Sequence, residues 1–347
     1  MRRRLLLVLL VIVASATFAG LELLRVWEEP LRIPGENYEF KVEEGDTLRA
    51  VANRLYADGV LRHPRLLTLY GRWAGWDVGI KTGEYLLPDY LTAQSLLRLL
   101  HQGQVIEYEV VLPEGITLAQ ALDIIQGQEH IHATLKGPDD PRLLALVAPS
   151  AYTEGLFFPA RYRYLKGSTD YQLLERAHAK MERTLATLWS ARSENLPYGS
   201  VEDALIMASI IEKETGLAQE REEIAGVFVR RLNKGMRLQT DPTVIYGLGP
   251  EFDGNLTRAH LRDNRNTFNT YRHHGLPPTP IALPGKAAIY AALHPAPGET
   301  LFFVARGDGG HVFSRTLAEH QAAVRNYQLR RKQNYRSSPP PAVQQKQ

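Results

Sequence analysis

A chain of 347 residues that is 44% hydrophobic carries enough apolar material for two or three compact domains, which excludes extensive disorder away from the ends. Its net charge of +3 is the small difference between 41 basic and 38 acidic residues, and no long basic run interleaved with aromatics occurs, so there is no electrostatic case for nucleic acid. Cysteine is absent, which removes disulfides, thiolate catalysis, Cys-ligated metals and a lipidated N-terminal Cys, while fitting any compartment.

Met1-Arg2-Arg3-Arg4 precedes an uncharged, Leu- and Val-rich stretch from Leu5 to Leu21. As a helix these about 17 residues span about 25 Å, slightly short of a bilayer core, and Leu23, Leu24, Val26 and Trp27 extend it at the interface. The Arg cluster places the N-terminus in the cytoplasm and everything from about Trp27 onward beyond the membrane. Residues 1–28 are therefore read as a cytoplasmic stub and uncleaved anchor; a signal peptide cleaved after Ala14-Ser15-Ala16 is the alternative.

An internal echo follows. Val42-Glu43-Glu44-Gly45-Asp46-Thr47-Leu48 recurs as Leu112-Pro113-Glu114-Gly115-Ile116-Thr117-Leu118, each time after a strand-like run and before a helix-like one, which predicts strand, Glu-Gly turn, Thr cap and helix twice over. The first copy resembles the opening of a LysM module, a small fold that binds glycan through N-acetylglucosamine units, although Gly-Asp-Thr-Leu is also simply a good turn and cap. A strand at Gly83 to Leu87 and a helix at Thr92 to His101 would complete it.

From Pro141 the pattern shifts to longer helices, over Tyr171 to Ser193, Val201 to Thr215 and Gln219 to Asn233, the last with an apolar stripe of Ile224, Val227, Phe228 and Leu232 and a stop at Gly235. Leu301 to Ala305 and His311 to Ser314 predict a hairpin, and Thr316 to Tyr327 a closing helix before a Pro- and Gln-rich tail. In the Val201 helix, with Ser200 as N-cap, Glu214 projects beside Met207, Ile210 and Ile211, on the apolar face. Glu212 lies nearly opposite, beside Leu205, Ala208 and Ser209. Burial disfavours a carboxylate, which makes Glu214 the better candidate for a general acid; a Glu paired with Arg or capping a neighbouring helix is the alternative.

Ala208-Ser209-Ile210-Ile211-Glu212-Lys213-Glu214-Thr215 and Leu238-Gln239-Thr240-Asp241-Pro242-Thr243-Val244 resemble the signature runs of the endolytic murein transglycosylase (MltG, YceG-like) family. Glu154-Gly155-Leu156-Phe157-Phe158-Pro159, Asn269-Thr270-Tyr271, Gly275 to Ile281 and Phe302-Phe303-Val304-Ala305 extend the resemblance over about Tyr38 to Tyr327. Ala160-Arg161-Tyr162 and Phe268 depart from that family's usual residues. The resemblance implies that Glu214 is the catalytic acid, that the substrate is peptidoglycan glycan, and that the chain sits in the inner membrane with an extracytoplasmic catalytic domain beside peptidoglycan synthases, the penicillin-binding proteins. Lower-ranked substrate contacts are Gln239 and Thr240, whose uncharged groups suit sugar hydroxyls, with Asn269, Tyr271, Glu154, Asp241 and Glu212. Asp241 is the rival second carboxylate, yet Asp before Pro242 also reads as an N-cap with Gly247 ending a short helix, and that capping role is favoured. Glu154 would line the cleft or fix the turn that follows it. His273, His274 and His311 lack metal-ligand spacing and no Gly-x-Ser-x-Gly elbow occurs, so no metal or cofactor is expected. The expected fold is α+β: an N-terminal membrane helix, a LysM-like module at 36–105, a second strand-helix module at 106–160, a mainly helical catalytic domain with a short hairpin at 161–328, and a tail at 329–347. A hydrolysing muramidase and a catalytically silent glycan-binding scaffold are the competing readings.

Overall fold

Both Glu-Gly turns close a strand and open a helix, as their sequence echo implies. In the computed structural model, which describes residues 2–329, helix α1 (Arg2–Glu28) is followed by β1 (Asn37–Val42), α2 (Leu48–Ala57), α3 (Pro64–Ala74), β2 (Gly83–Pro88) and α4 (Ala93–Gln102). The second copy repeats this order: β3 (Tyr108–Val111), α5 (Leu118–Gln126), α6 (Pro141–Leu146) and β4 (Arg161–Tyr164). Thr47 caps α2 through Ala50 N–H, and Thr117 caps α5 in a reciprocal capping box with Gln120. Each turn needs a left-handed residue, supplied by Gly45 (φ 84°) and Gly115 (φ 78°).

The chain divides into two units, one running to Tyr108 and taking in Arg163–Gly167, the other comprising Glu109–Tyr162 and the chain from Ser168 on. In the first, β1 and β2 pair antiparallel from Asn37 against Pro88 to Val42 against Gly83. Phe40, Val42, Tyr85 and Leu87 alternate inward onto Leu48, Val51, Leu55, Leu67, Leu96 and Leu100. Helix α1 is long and apolar enough to cross a membrane, with mean hydropathy 1.9 over an 18-residue window within Leu9–Glu28, and Leu10 and Phe18 are each 67% exposed. Its last turn is committed to protein: Trp27 packs on Tyr70 with ring centroids 3.9 Å apart.

The second unit adds α7 (Asp170–Ser190), α8 (Val201–Glu214), α9 (Arg221–Asn233), α10 (Asp241–Leu248), α11 (Arg258–Arg262), α12 (Lys286–Leu293), the antiparallel hairpin β5 (Phe302–Ala305) and β6 (His311–Ser314), and α13 (Leu317–Val324). Helix α12 packs against α7, α8 and α9, and α8 is enclosed from Ala204 to Ile211. The expected tail lies outside the described residues beyond Leu329.

Candidate active site

Ser200 and Asp203 form the capping box that starts α8, and every residue from Ala204 to Ile211 is buried. That burial includes Leu205, Ala208 and Ser209, the rim of smaller residues that could have packed or faced water, so the face bearing Glu212 packs and is no wetter than the face bearing Glu214. The Glu212 side chain is only 5% exposed and its carboxyl, like that of Glu214, is raised by burial. Partners distinguish them. Glu212 Oε2 accepts from Gly285 N–H at 2.9 Å and its Oε1 lies 3.5 Å from Arg221 Nη2. The second Glu-Gly turn covers it, with Lys213 Nζ donating to Gly115 O at 3.0 Å and Gly115 N–H donating to Leu283 O at 2.8 Å. The Glu114 side chain lies close over Gly285, where an added Cβ would meet its Oε1 at 1.9 Å and displace that carboxyl. Glu212 is thus a structural tie, and it does not line the cleft that Glu214 faces.

That cleft has a volume of about 1030 Å³ and is bordered by Glu214, Arg231, Gln239, Asp241, Tyr271 and Phe303 among others. Glu214, the last residue of α8, is partly exposed to it while desolvated by the surrounding protein. Burial pushes its carboxyl up from 4.5 to about 7; the Thr240 hydroxyl, donating to Oε1, opposes this, the Asp241 charge adds to it and the Arg231 guanidinium opposes it. A carboxyl titrating near 7 is half protonated at neutral pH, so one group delivers and recovers a proton.

Thr240 is therefore occupied by Glu214 rather than free for sugar hydroxyls. Its own position is set by two further threonines: Thr240 N–H donates to Thr270 Oγ1 at 3.1 Å, Thr243 Oγ1 donates to Thr240 O at 2.8 Å, and the Thr243 and Thr270 hydroxyls lie 2.9 Å apart. The preceding Gln239 lines the cleft with a left-handed backbone (φ 53°), a conformation that costs about 1–2 kcal/mol for a residue with a Cβ. The expected N-cap role of Asp241 does not survive. Thr240 occupies the N-cap position, Asp241 is N1, and the helix runs past Gly247 to Leu248. The exposed Asp241 carboxylate faces the cleft, accepting from Tyr271 O–H at 2.6 Å. Both Asp241 and Tyr271 are cleft residues.

Asn269 and Glu154 are not. Asn269 is fully buried, and its Nδ2 donates to His260 O, Leu261 O and Asp263 O, holding a loop to α11. Glu154 accepts from Leu118 N–H at 3.0 and 3.2 Å, from Gly155 N–H at 3.3 Å and from Tyr246 O–H at 3.2 Å, so it fixes the start of α5 and the turn that follows it. Its carboxyl is also pushed up to about 7 by burial. Of the histidines, His311 bonds Glu220 at 2.7 Å, and His273 and His274 bond the carbonyls of Asn264 and Gly235.

Sequence reading missed Arg231. It is 7% exposed on the cleft wall, donating to Leu301 O at 2.7 Å and Leu238 O at 2.6 Å, with its guanidinium 5.1 Å from the Phe302 ring centre. No carboxylate lies within salt-bridge distance of it among the described residues, so its charge acts on Glu214 and Tyr271 through a poorly hydrated space. A signal existed: Arg231 continues the Ile224, Val227, Phe228 stripe at i+7, i+4 and i+3, where an ordinary surface Arg has no place.

A carboxyl that is half protonated at neutral pH, a nearby carboxylate and a buried cation on one open cleft can serve acid–base chemistry on a polar substrate. The YceG-like family model matches residues 40–326, and the chain belongs to that family. It is similar to the endolytic murein transglycosylase of Bacillus subtilis (strain 168), 29% identical over 304 residues, covering 82% of this chain and 83% of that protein. It is likewise similar to the endolytic murein transglycosylase of Streptococcus pneumoniae serotype 2, 28% identical over 321 residues, covering 80% of this chain and 57% of that longer protein. Among solved structures it resembles a yceG-like protein from Listeria monocytogenes, with a TM-score of 0.53 and 29% identity, covering 83% of this chain and 99% of that one.

Proposed function

We propose that this protein is a membrane-anchored lytic transglycosylase that cleaves the MurNAc–GlcNAc β-1,4 bond inside peptidoglycan strands and leaves a 1,6-anhydroMurNAc end. The observation that carries it is Glu214, a carboxyl raised to about 7 at the edge of an open cleft. Similarity to enzymes named endolytic murein transglycosylases over four-fifths of the chain supports the reaction class. Protonated Glu214 donates to the glycosidic oxygen as the C1–O bond breaks and its electron pair leaves with the GlcNAc O4. The MurNAc C6 hydroxyl then attacks C1, and the Glu214 carboxylate, steadied by Arg231 and the Thr240 hydroxyl, takes up its proton. Asp241 holds negative charge near the sugar cation, and Gln239 and Tyr271 contact the glycan, the Tyr through a pyranose face.

Helix α1 anchors the enzyme in the inner membrane with its N-terminus cytoplasmic, which sets the cleft to act on glycan emerging from peptidoglycan synthases and to terminate strand elongation. The strand–helix–helix–strand order of β1, α2, α3 and β2, opened by the Gly45-Asp46-Thr47-Leu48 turn, supports a LysM-like glycan contact in the first unit.

The exposed Asp241 carboxylate, held toward the cleft by Tyr271 O–H, favours one second reading, hydrolysis, because it could activate water where a capping Asp could not. Digestion of purified sacculi in ¹⁸O-labelled water separates the two. A transglycosylase gives products about 18 Da lighter than hydrolysis products, with no label. Label at the new MurNAc C1 makes the enzyme a muramidase, with Asp241 as its base.

A further inference from the structure

Helix α3 carries two apolar stripes. Leu67 and Gly71 face the core, Gly71 so closely that a Cβ would lie 2.2 Å from Leu48 Cδ2. Leu66, Leu69, Tyr70 and Trp73, spaced i, i+3, i+4 and i+7, form the second stripe, on which Leu69 is 65% and Trp73 81% exposed. A helix on a water-facing surface has one apolar stripe and turns charge outward, so the second requires a cover. Together with Gly20, Leu24 and Trp27 of α1 it lines an apolar groove of about 650 Å³.

Chain lengths set the level of that groove. The stretch from Leu5 to Leu21 reaches about 25 Å, and a hydrocarbon core is about 30 Å thick, so a further turn of α1 must enter it. That turn contains Leu24. The groove walls formed by Gly20 and Leu24 then lie at the edge of the hydrocarbon, and α3 lies there with them. Arginines border the stripe: Arg65 and Arg72, seven residues apart, follow its Leu69 edge, and Arg49 and Arg62 line the adjoining surface. Arg62 pairs with Glu29 at 3.2 Å and Arg72 lies 3.9 Å from Asp77, whereas Arg49 and Arg65 have no acidic partner among the described residues. An apolar and aromatic stripe edged by arginine is the composition of a helix lying in a membrane interface, its guanidinium groups reaching up to anionic headgroups.

We propose that α3 lies in the extracytoplasmic leaflet of the membrane that α1 spans, with Leu66, Leu69, Tyr70 and Trp73 among acyl chains and Arg49 and Arg65 at anionic phospholipid headgroups. The first unit is thereby clamped to the bilayer at two places and does not swing on a single helix. This inference rests on the anchor reading above.

The absence of native cysteine makes single-site labelling direct. Full-length protein bearing a nitroxide at Phe18→Cys, Leu69→Cys, Trp73→Cys or Val78→Cys is reconstituted into phosphatidylcholine bilayers containing a quarter phosphatidylglycerol, and collision with oxygen and with a water-soluble nickel chelate is measured. Val78, 77% exposed and not among the residues lining the groove, is the comparison site. Labels at 69 and 73 are expected to show an oxygen-to-nickel accessibility ratio several-fold above that at 78 and close to that at 18. If the label at 18 reads as hydrocarbon while those at 69 and 73 match 78, the inference is wrong and the anchor stands. A label at 18 as wet as that at 78 removes the anchor and the inference together. Shielding of 69 and 73 from both collision partners would show a protein segment filling the groove, and would equally overturn it.

Discussion

Two buried carboxyls in the second unit are both raised to about 7, and only one of them faces a cleft. Glu154 sits where Leu118 N–H, Gly155 N–H and Tyr246 O–H surround it, while Glu214 has, among the described residues, a single protein donor, Thr240, and an open side. The same physical cause, loss of water around a charge, produces both shifts. A raised pKa therefore marks burial, and function follows from what can reach the group. Glu154 is closed by its partners; Glu214 is left, among the described residues, with one oxygen free of protein hydrogen bonds on an open cleft.

The largest expected effect of that contrast is kinetic. Glu214→Gln keeps the shape of the side chain and removes the proton, so turnover of sacculi should fall by about 10²- to 10⁴-fold while the circular dichroism spectrum and glycan binding are retained. Glu154→Gln and Glu212→Gln, measured per folded molecule, should stay within a few-fold of wild type. A dead Glu212 variant with a live Glu214 variant would move the acid two residues along the helix.

Neighbours of Glu214 should move the pH at which activity is lost. A general acid works while protonated, so the basic limb of kcat/KM follows its pKa. Thr240→Val removes a donor that favours the carboxylate, and the limb should rise by about one to two pH units, since a hydrogen bond to a charged group is worth about 1.5–3 kcal/mol. Asp241→Asn removes a charge that disfavours the carboxylate, and the limb should fall, by a smaller amount because Asp241 is exposed and screened by water. Equal limbs in both variants would mean that another group titrates.

Much of this site was legible in sequence because it is local. The Ser200 and Asp203 cap, the α8 helix and the placement of Glu214 near its end all depend on neighbours a few residues apart. What misled were partners far along the chain. Glu212 is covered by Gly115 and Gly285, respectively 97 residues before it and 73 after it, so no helical periodicity exposes its burial. Asp241 reads as a cap from Asp-Pro alone, but Thr240 already has the extended backbone of an N-cap and spends its hydroxyl on Glu214, 26 residues earlier. The β-α-α-β repeat was half visible. Its turns and caps are written in the echo, whereas α3 begins at Pro64 behind His63, which makes no side-chain cap, and α6 is a helix of six residues whose cap, Asp140 before Pro141, has no counterpart in the first copy.

The two carboxyls should share a thermodynamic signature even though they differ in kinetics. Each is near 4.5 when unfolded and about 7 when folded, so between those values the native state holds a proton that the unfolded chain has released. Stability then falls as pH rises through the window and levels off above it. Urea midpoints measured from pH 4.5 to 8 should show a shallower fall in both Glu154→Gln and Glu214→Gln than in wild type. A slope unchanged by Glu154→Gln would mean that its backbone donors outweigh burial and that the carboxyl is ionised throughout.

The smallest effects belong to two tyrosines, each of which donates to a carboxyl. Tyr246 O–H reaches Glu154 at 3.2 Å and Tyr271 O–H reaches Asp241 at 2.6 Å. Tyr246→Phe removes one of several donors from an enclosed group whose shape is otherwise kept, so it should cost about 0.5–1.5 kcal/mol of stability and leave kcat unchanged. Tyr271→Phe acts on the open side. The ring is retained for stacking on a sugar, but Asp241 loses the donor that fixes its direction in the cleft, so kcat/KM should drop several-fold with little change in melting temperature. If the two variants behaved alike, both losing stability or both losing rate, openness to the cleft would not be what separates the two carboxyl sites.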